Sequence, residues 1–504
     1  MIELKNVTFE YGSGDGLERG SAGGIDEKVS NGSLCGVNLS VTEGEFLLLT
    51  GGSGCGKTTI LRLINGLIPN FFEGSLEGSV TVDGFDVSHA ELYDTAKSVS
   101  TVFQNPRSQF FNVDTTSELA FACENQGMEE GEILRRIDNT VAELHLEPLM
   151  NRSLFDLSGG QKQKIACASV AVTGNKIILL DEPSANLDLR TIDELAGLLK
   201  KWKNEGKTII VAEHRISYLW DLADRTVVLK EGQIVRELSR TQMDKISEEE
   251  LHELGLRTNV SNKDLRVKPE DDSMPMSPSG LTRGSIQADN FLTLQNFRYK
   301  YKNGYLALNI PQMQIPLGKI TAITGNNGDG KTTLLNCLCG LGRRSKGTLL
   351  YKGKAYNRRQ RQKLIFLVMQ DVNHQLFTES VLDEVLISQA EENEEEARRI
   401  LTTLDLEPFA ARHPQSLSGG QKQRVAVASA IASGRDIMLF DEPTSGLDYT
   451  HMLQIGEILR NLKAQGKTVI VVTHDRELIK ECCDCEICLH DFNQINPAEG
   501  EINA

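Results

Sequence analysis

The sequence predicts an α/β protein of two similar units, each built on a mainly parallel sheet with helices on both faces. Three observations carry that expectation. A complete G-x-x-x-x-G-K-T loop occurs twice, as Gly51-Gly52-Ser53-Gly54-Cys55-Gly56-Lys57-Thr58 and as Gly325-Asn326-Asn327-Gly328-Asp329-Gly330-Lys331-Thr332. Each loop follows a short apolar run and leads into a helical pattern, the context that a phosphate-binding loop requires. A later series then repeats at a constant offset of 260 residues: Leu-Ser-Gly-Gly-Gln (157–161 and 417–421), an apolar run ending in Asp-Glu (181–182 and 441–442), and a His (214 and 474).

Taken in order, Ile2 to Tyr11 reads as the first strand, and residues 12–36, with eight glycines, read as a loop between strands. Tyr11 lies 46 residues before Lys57, whereas Tyr301 lies 30 before Lys331, so this loop is an insertion private to the first unit and is expected to be a surface loop. The runs 45–50 and 319–324 precede the phosphate loops; 176–181 matches 436–441, and 208–213 matches 468–473. Short continuous apolar strands alternating with helices indicate a parallel sheet buried on both sides. Residues 248–254 suggest a short helix closing the first unit, and the acidic run 391–396 suggests a solvated helix N-terminus. Prolines and acids toward 288 mark a polar linker. The expected division is 1–245, a linker over 246–288, and 289–504.

Composition narrows the function. With 504 residues, 39% hydrophobic and 25% charged, the chain is globular and long enough for a core in each unit. A net charge of −16 disfavours a nucleic-acid partner or direct adhesion to anionic lipid. No apolar stretch approaches the ~20 residues that span a bilayer, and the N-terminus lacks a leader pattern, so a cytosolic protein is expected. The cluster Cys482-Cys483-x-Cys485-x-x-Cys488 invites a metal reading, but the offset aligns it with Leu222, Ala223, Arg225 and Val228. Buried structural thiols are therefore expected there.

The residue types fit phosphate chemistry. Loop glycines let backbone N–H groups turn inward around anionic oxygens, with Thr59 and Thr333 completing the two loops. Lys57 and Lys331 reach the outer phosphates; Thr58, Thr332, Asp181 and Asp441 suit Mg²⁺. Glu182 and Glu442, one step beyond, suit activation of the attacking water.

With Ser158-Gly159-Gly160-Gln161 and Ser418-Gly419-Gly420-Gln421 in place, the series resembles the ATP-binding-cassette (ABC) ATPase family, over nearly the whole chain outside the linker. The resemblance implies P-loop NTPase domains with an added antiparallel β subdomain and a helical subdomain, and ATP and Mg²⁺ as cofactors. It implies that Gln104 and Gln370 sense Mg²⁺ and water, that His214 and His474 sense the γ-phosphate, and that Tyr11 and Tyr301 stack on adenine. It also implies that 184–188 and 444–448 form D-loops, and that each signature completes the opposite site, 51–58 with 417–421 and 325–332 with 157–161, within one chain.

The segment after each sensing glutamine, Gln104-Asn-Pro-Arg-Ser-Gln109-Phe110-Phe111 with Glu118, and Gln370-Asp-Val-Asn-His-Gln375-Leu376-Phe377 with Glu384, resembles the ATPases of energy-coupling factor (ECF) importers of vitamins and transition-metal ions. That implies a transmembrane subunit, a separate substrate-binding membrane subunit, and a peripheral position on the cytoplasmic face of the membrane. Phe110, Phe111 and Phe377 are expected to dock the partner, with ordinary core packing as the competing account. The ATPase of another ABC importer and a soluble tandem-cassette ribosome factor remain the alternative readings.

Overall fold

The computed structural model describes residues 2–12, 32–185, 187, 189–257, 290–302, 304–417 and 419–495. Most of the glycine-rich insertion, the linker beyond Arg257, Asn186, Asp188 and Ser418 lie outside the described residues. The rest falls into two compact units that part between Arg257 and Asn290.

In the first unit a six-stranded sheet runs, edge to edge, Gln233–Ser239, Arg225–Lys230, Phe46–Gly51, Thr208–Ala212, Ile177–Asp181, Val99–Val102. All neighbours are parallel except the first pair. Every residue of Phe46–Gly51, Ile177–Asp181 and Thr208–Ala212 is buried, which is why these strands read as unbroken apolar runs rather than alternating ones. In the second unit the sheet runs Ile365–Val368, Ile437–Asp441, Thr468–Val472, Ile320–Thr324, Cys485–Cys488, all parallel. A four-stranded antiparallel sheet accompanies each: Leu34–Val41, Ile2–Tyr11, Gly74–Val82 and Phe85–Asp86 in the first unit, and Leu306–Pro316, Phe291–Lys300, Lys346–Tyr351 and Lys354–Ala355 in the second.

The sixth strand of the first unit has a local cause. Glu231 and Gly232 both take positive φ (52° and 77°), a two-residue turn that folds Gln233–Ser239 back onto Arg225–Lys230. The matching stretch of the second unit has Asp491-Phe492, without a glycine, and the chain instead makes a short turn at Leu489–Asp491. The four clustered cysteines fall at the end of helix Arg476–Cys482 and on strand Cys485–Cys488.

Each helical subdomain packs on the helix that follows the signature. In the first unit, helices Thr115–Asn125 and Glu130–Leu144 bury Leu119, Ile133 and Ile137 against Ile165, Ala168 and Val172 of Gly159–Thr173. In the second, Val381–Leu386 and Glu394–Thr403 stand against Gly419–Ala432. Glu394, Glu395 and Glu396 occupy the first turn of their helix, capped by Asn393, whose side chain accepts from the Glu396 N–H. Helix Glu248–Glu253 is present with a capping box between Ser247 and Glu250. No described helix is long and apolar enough to cross a membrane.

The loop after Gln104 corrects one expectation. Phe110 is not a free docking ring: it packs against both the core beneath the main sheet and the core of the helical subdomain. Phe110 is half-buried and Leu376, its counterpart, is buried, whereas Phe111 and Phe377 are 76% and 73% exposed.

Candidate nucleotide sites

The constellation of each unit is assembled by strand register. In the first unit Leu49, Ala212 and Asp181 stand side by side across three parallel strands, so the loops that leave all three strands meet at their carboxyl ends. In the second unit Ile323, Val472 and Asp441 do the same. The next residue is then forced into an unusual backbone. Glu182 and Glu442 have φ of 44° and 50°, while their N–H groups donate to Ala212 O and Val472 O, each at 2.8 Å. A non-glycine residue in the left-handed region costs about 1–3 kcal/mol and persists only where its surroundings fix it. The same strain at the same position in both units marks these two carboxylates as positioned.

In the first unit Lys57 Nζ donates to Gly51 O and Gly52 O, both at 3.0 Å, and lies 3.3 Å from His214 Nε2. His214 Nε2 is 3.2 Å from Glu182 Oε1, and Gln104 Nε2 donates to Glu182 Oε2 at 2.7 Å. Thr58 Oγ1 donates to Asp181 Oδ1 at 3.0 Å. Tyr11 sits beside the loop, its hydroxyl 3.1 Å from Thr59 Oγ1 and accepting from Arg62 at 3.0 Å. The second unit repeats the pattern: Lys331 Nζ donates to Gly325 O and Asn326 O at 2.7 and 2.9 Å, His474 Nε2 is 3.6 Å from Glu442 Oε1, and the Tyr301 hydroxyl is 2.8 Å from Thr333 Oγ1. Gln370 is exposed just beyond Ile365–Val368, as Gln104 is beyond Val99–Val102.

Charge inside the pocket is uneven. Burial and the adjacent Glu182 charge push the Asp181 carboxyl up to about 6, despite the Thr58 hydrogen bond. Burial alone would raise Glu182 too, but its bond to His214 and the charges of His214 and Lys57 hold it below the usual carboxylate range. Asp441 is raised, chiefly by burial. A buried aspartate that resists ionisation beside a threonine hydroxyl is a hard-oxygen pair wanting a small cation, and these residues fit Mg²⁺.

The serine and glutamine of the first signature have structural work as well. Ser158 Oγ accepts from the Gln161 N–H and Gln161 Oε1 from the Ser158 N–H, a capping box that starts helix Gly159–Thr173. Gly419, Gly420 and Gln421 open the matching helix.

Three pairs were not assigned from sequence. Gln109 Oε1 and Gln375 Oε1 each accept a loop N–H, from Phe103 and Met369, both at 3.1 Å, closing the segment after the sensing glutamine. Glu118 and Glu384 are buried carboxylates that accept from Phe111 and Asn112 N–H and from Phe377 and Thr378 N–H, at 2.9–3.1 Å. Glu213, just before His214, accepts from Ser184, His214 N–H and Tyr218; in the second unit Asp475, just after His474, accepts from Thr444 Oγ1 at 2.6 Å. The spacing Gln-x-x-x-x-Gln was visible, but a glutamate inside a helical pattern gives no sign of burial.

A family model described as ABC transporter matches residues 34–185 and 308–445. A Treponema denticola protein provisionally named an ABC transporter ATP-binding protein is 41% identical, over 99% of this chain and 98% of its own length. A Methanosarcina acetivorans protein with the same provisional name is 31% identical, over 95% of this chain and 83% of its own length. Among solved structures, one from the complex of archaeal ribosomal stalk protein aP1 with the archaeal ribosome recycling factor aABCE1 covers 90% of this chain and 84% of its own, with a TM-score of 0.58 at 22% identity. That likeness concerns the fold alone.

The raised Asp181 carboxyl makes a testable statement about the ligand-free protein. Its folded pKa, about 6, exceeds its ordinary value of 3.8, so its contribution to stability is full below 3.8 and is lost as pH rises through about 6. Asp181→Asn removes that penalty. Thermal melts without nucleotide should show the variant stabilised at pH 7.5 by up to about 3 kcal/mol, and by roughly half as much at pH 5. A variant less stable than the parent at pH 7.5 would contradict this electrostatic reading.

Proposed function

The chain belongs to the ABC transporter ATPases, and from that premise we propose that it powers a membrane importer through two ATP sites, one on each phosphate loop. It is an ATP hydrolase. The observation that carries it is the doubled constellation of a strained glutamate beside a histidine at the mouth of a lysine-bearing loop. ATP enters with its phosphates in 51–59 and 325–333, Tyr11 and Tyr301 beside the base, and Mg²⁺ on Thr58 with Asp181 and on Thr332 with Asp441. Bound Mg²⁺ supplies charge neutralisation on the phosphates. Glu182, held below the usual carboxylate range by His214 and Lys57, accepts the proton of the attacking water in the first unit, and Glu442 does so in the second. Gln104 and Gln370 orient that water, and His214 and His474 register the γ-phosphate. The Ser158–Gln161 and Ser418–Gln421 signatures each close the site of the other cassette within the chain.

The importer is of the ECF kind in this reading, with a transmembrane subunit and a substrate-binding membrane subunit, and the chain sits peripherally on the cytoplasmic face. Docking falls to Phe111 and Phe377. Phe111 stacks on Phe121 at 5.0 Å and lines a groove of about 400 Å³ with Phe103, Tyr93 and Gln109. Exposed aromatic rings over a groove are common anchors for a partner helix. Because Gln109 and Glu118 hold the same loop from below, a partner on Phe111 is coupled through one short backbone stretch to Gln104 and so to Glu182.

Two outcomes test these roles. Replacing Glu182 and Glu442 together by Gln should lower steady-state ATP turnover by about 10²–10⁴-fold; near-parental turnover would remove the general-base assignment. Replacing Phe111 and Phe377 by Ala should weaken co-purification with the membrane subunit at an unchanged melting temperature, while Phe110→Ala, which truncates a half-buried ring packed on two cores, should destabilise by roughly 1–3 kcal/mol. Co-sedimentation with ribosomes in place of membrane association would instead favour the ribosome-factor alternative.

A further inference from the structure

Both phosphate loops are fastened to the body of their unit at the same carbonyl, but by different chemistry. In the first unit the Cys55 C=O accepts from the Gly232 N–H at 3.2 Å, and Gly232 O accepts in turn from the Cys35 N–H at 2.9 Å. Gly232 belongs to the tight turn that creates the sixth strand. The second unit has no such turn, and the equivalent carbonyl, Asp329 C=O, accepts from the side-chain amide of Asn493 at 2.9 Å. The same amide nitrogen donates to Ala307 O at 3.1 Å, and Asn493 Oδ1 accepts from the Asn309 N–H at 2.7 Å. Gln494 N–H adds a bond to Asn309 O at 2.9 Å, so the segment is tied along one strand of the antiparallel sheet.

A trans peptide points its C=O and its following N–H in opposite directions. Holding the Asp329 C=O against the Asn493 amide therefore aims the Gly330 N–H the other way, toward the concave side of the loop where phosphate oxygens are received. The restraint matters because Gly330, at φ 92°, has no side chain to oppose rotation of that peptide. Gly56, at φ 104°, faces the same freedom, restrained by the backbone of Gly232.

We infer that Asn493 is a positioning residue for the second phosphate loop, presenting the Gly330 N–H to nucleotide as the Gly232 main chain does for Gly56. It touches no nucleotide itself. The two sites then differ in vulnerability: the first clamp is main chain, while the second depends on one side chain.

This inference rests on the reading that both loops receive nucleotide, and the test separates the two. Mg·AMP-PNP binding to the full chain is measured by titration calorimetry in two backgrounds. Lys57→Ala leaves the second loop to be read, and Lys331→Ala leaves the first. Asn493→Leu should weaken binding about ten-fold in the Lys57→Ala background, about 1.4 kcal/mol, and leave the Lys331→Ala background unchanged. Asn493→Asp keeps the acceptor for the Asn309 N–H but loses the amide donors, so it should show the same loss, and it decides the matter if the Leu variant melts early. Unchanged affinity in the Lys57→Ala background, or an equal loss in both backgrounds, overturns the positioning role. No binding by the Lys57→Ala parent overturns the underlying reading, and this inference with it.

Discussion

The hydrogen bond from the Glu182 N–H to Ala212 O, repeated from Glu442 to Val472 O, is the constraint on which both sites depend. It extends the parallel ladder one residue past the end of the strand. The next peptide must then turn at once, and the glutamate takes a left-handed backbone to do so. That conformation is unfavourable by about 1–3 kcal/mol, and three buried strands in fixed register are what sustain it. The carboxylate consequently lies on the side of the sheet end that faces the phosphate loop, whose strand stands two places along, beyond Thr208–Ala212 or Thr468–Val472, and comes within reach of His214 in one unit and of His474 in the other. Lys57 and Lys331 lie folded back onto their own loop carbonyls, satisfied until a phosphate offers stronger acceptors.

Around this constant frame the two units do the same tasks with different residues. The turn after Asp-Glu is tied to the histidine loop by a buried carboxylate in each unit, Glu213 in one and Asp475 in the other, on opposite sides of the histidine. The phosphate-loop carbonyl is held by a main-chain N–H in one and by Asn493 in the other. The loops themselves carry Cys55 and Asp329 at the matched place, and the Asp329 carboxylate accepts from the Asn326 N–H at 2.7 Å. What recurs is the geometry of donors and acceptors, and the residue identities are free to move where backbone or side chain can reach the same atom.

The main sheets were legible because a strand buried on both faces is an unbroken apolar run, and six such runs, three in each unit, were read to within a residue or so: Phe46–Gly51 and Ile320–Thr324 among them. The phosphate loops and the Asp-Glu pairs were legible because spacing and residue type are dictated by the chemistry. The loop after the sensing glutamine was only partly legible. Phe110 and Phe111 are adjacent in an irregular segment, where no periodicity says which ring turns inward, and the one that turns inward, half-buried, is Phe110. Glu118 and Glu384 were read only as motif letters, since a carboxylate buried by backbone N–H donors has the same sequence appearance as a solvated one. Asn493 gave no signal because its role exists only where the turn of the first unit is missing.

The central claim is that one chain holds two complete nucleotide sites, each built on the same strand-end geometry. Counting Mg·ATP retained by the purified chain carrying Glu182→Gln and Glu442→Gln tests it most directly. The account predicts two nucleotides per chain at saturation. Saturation at one per chain would contradict it.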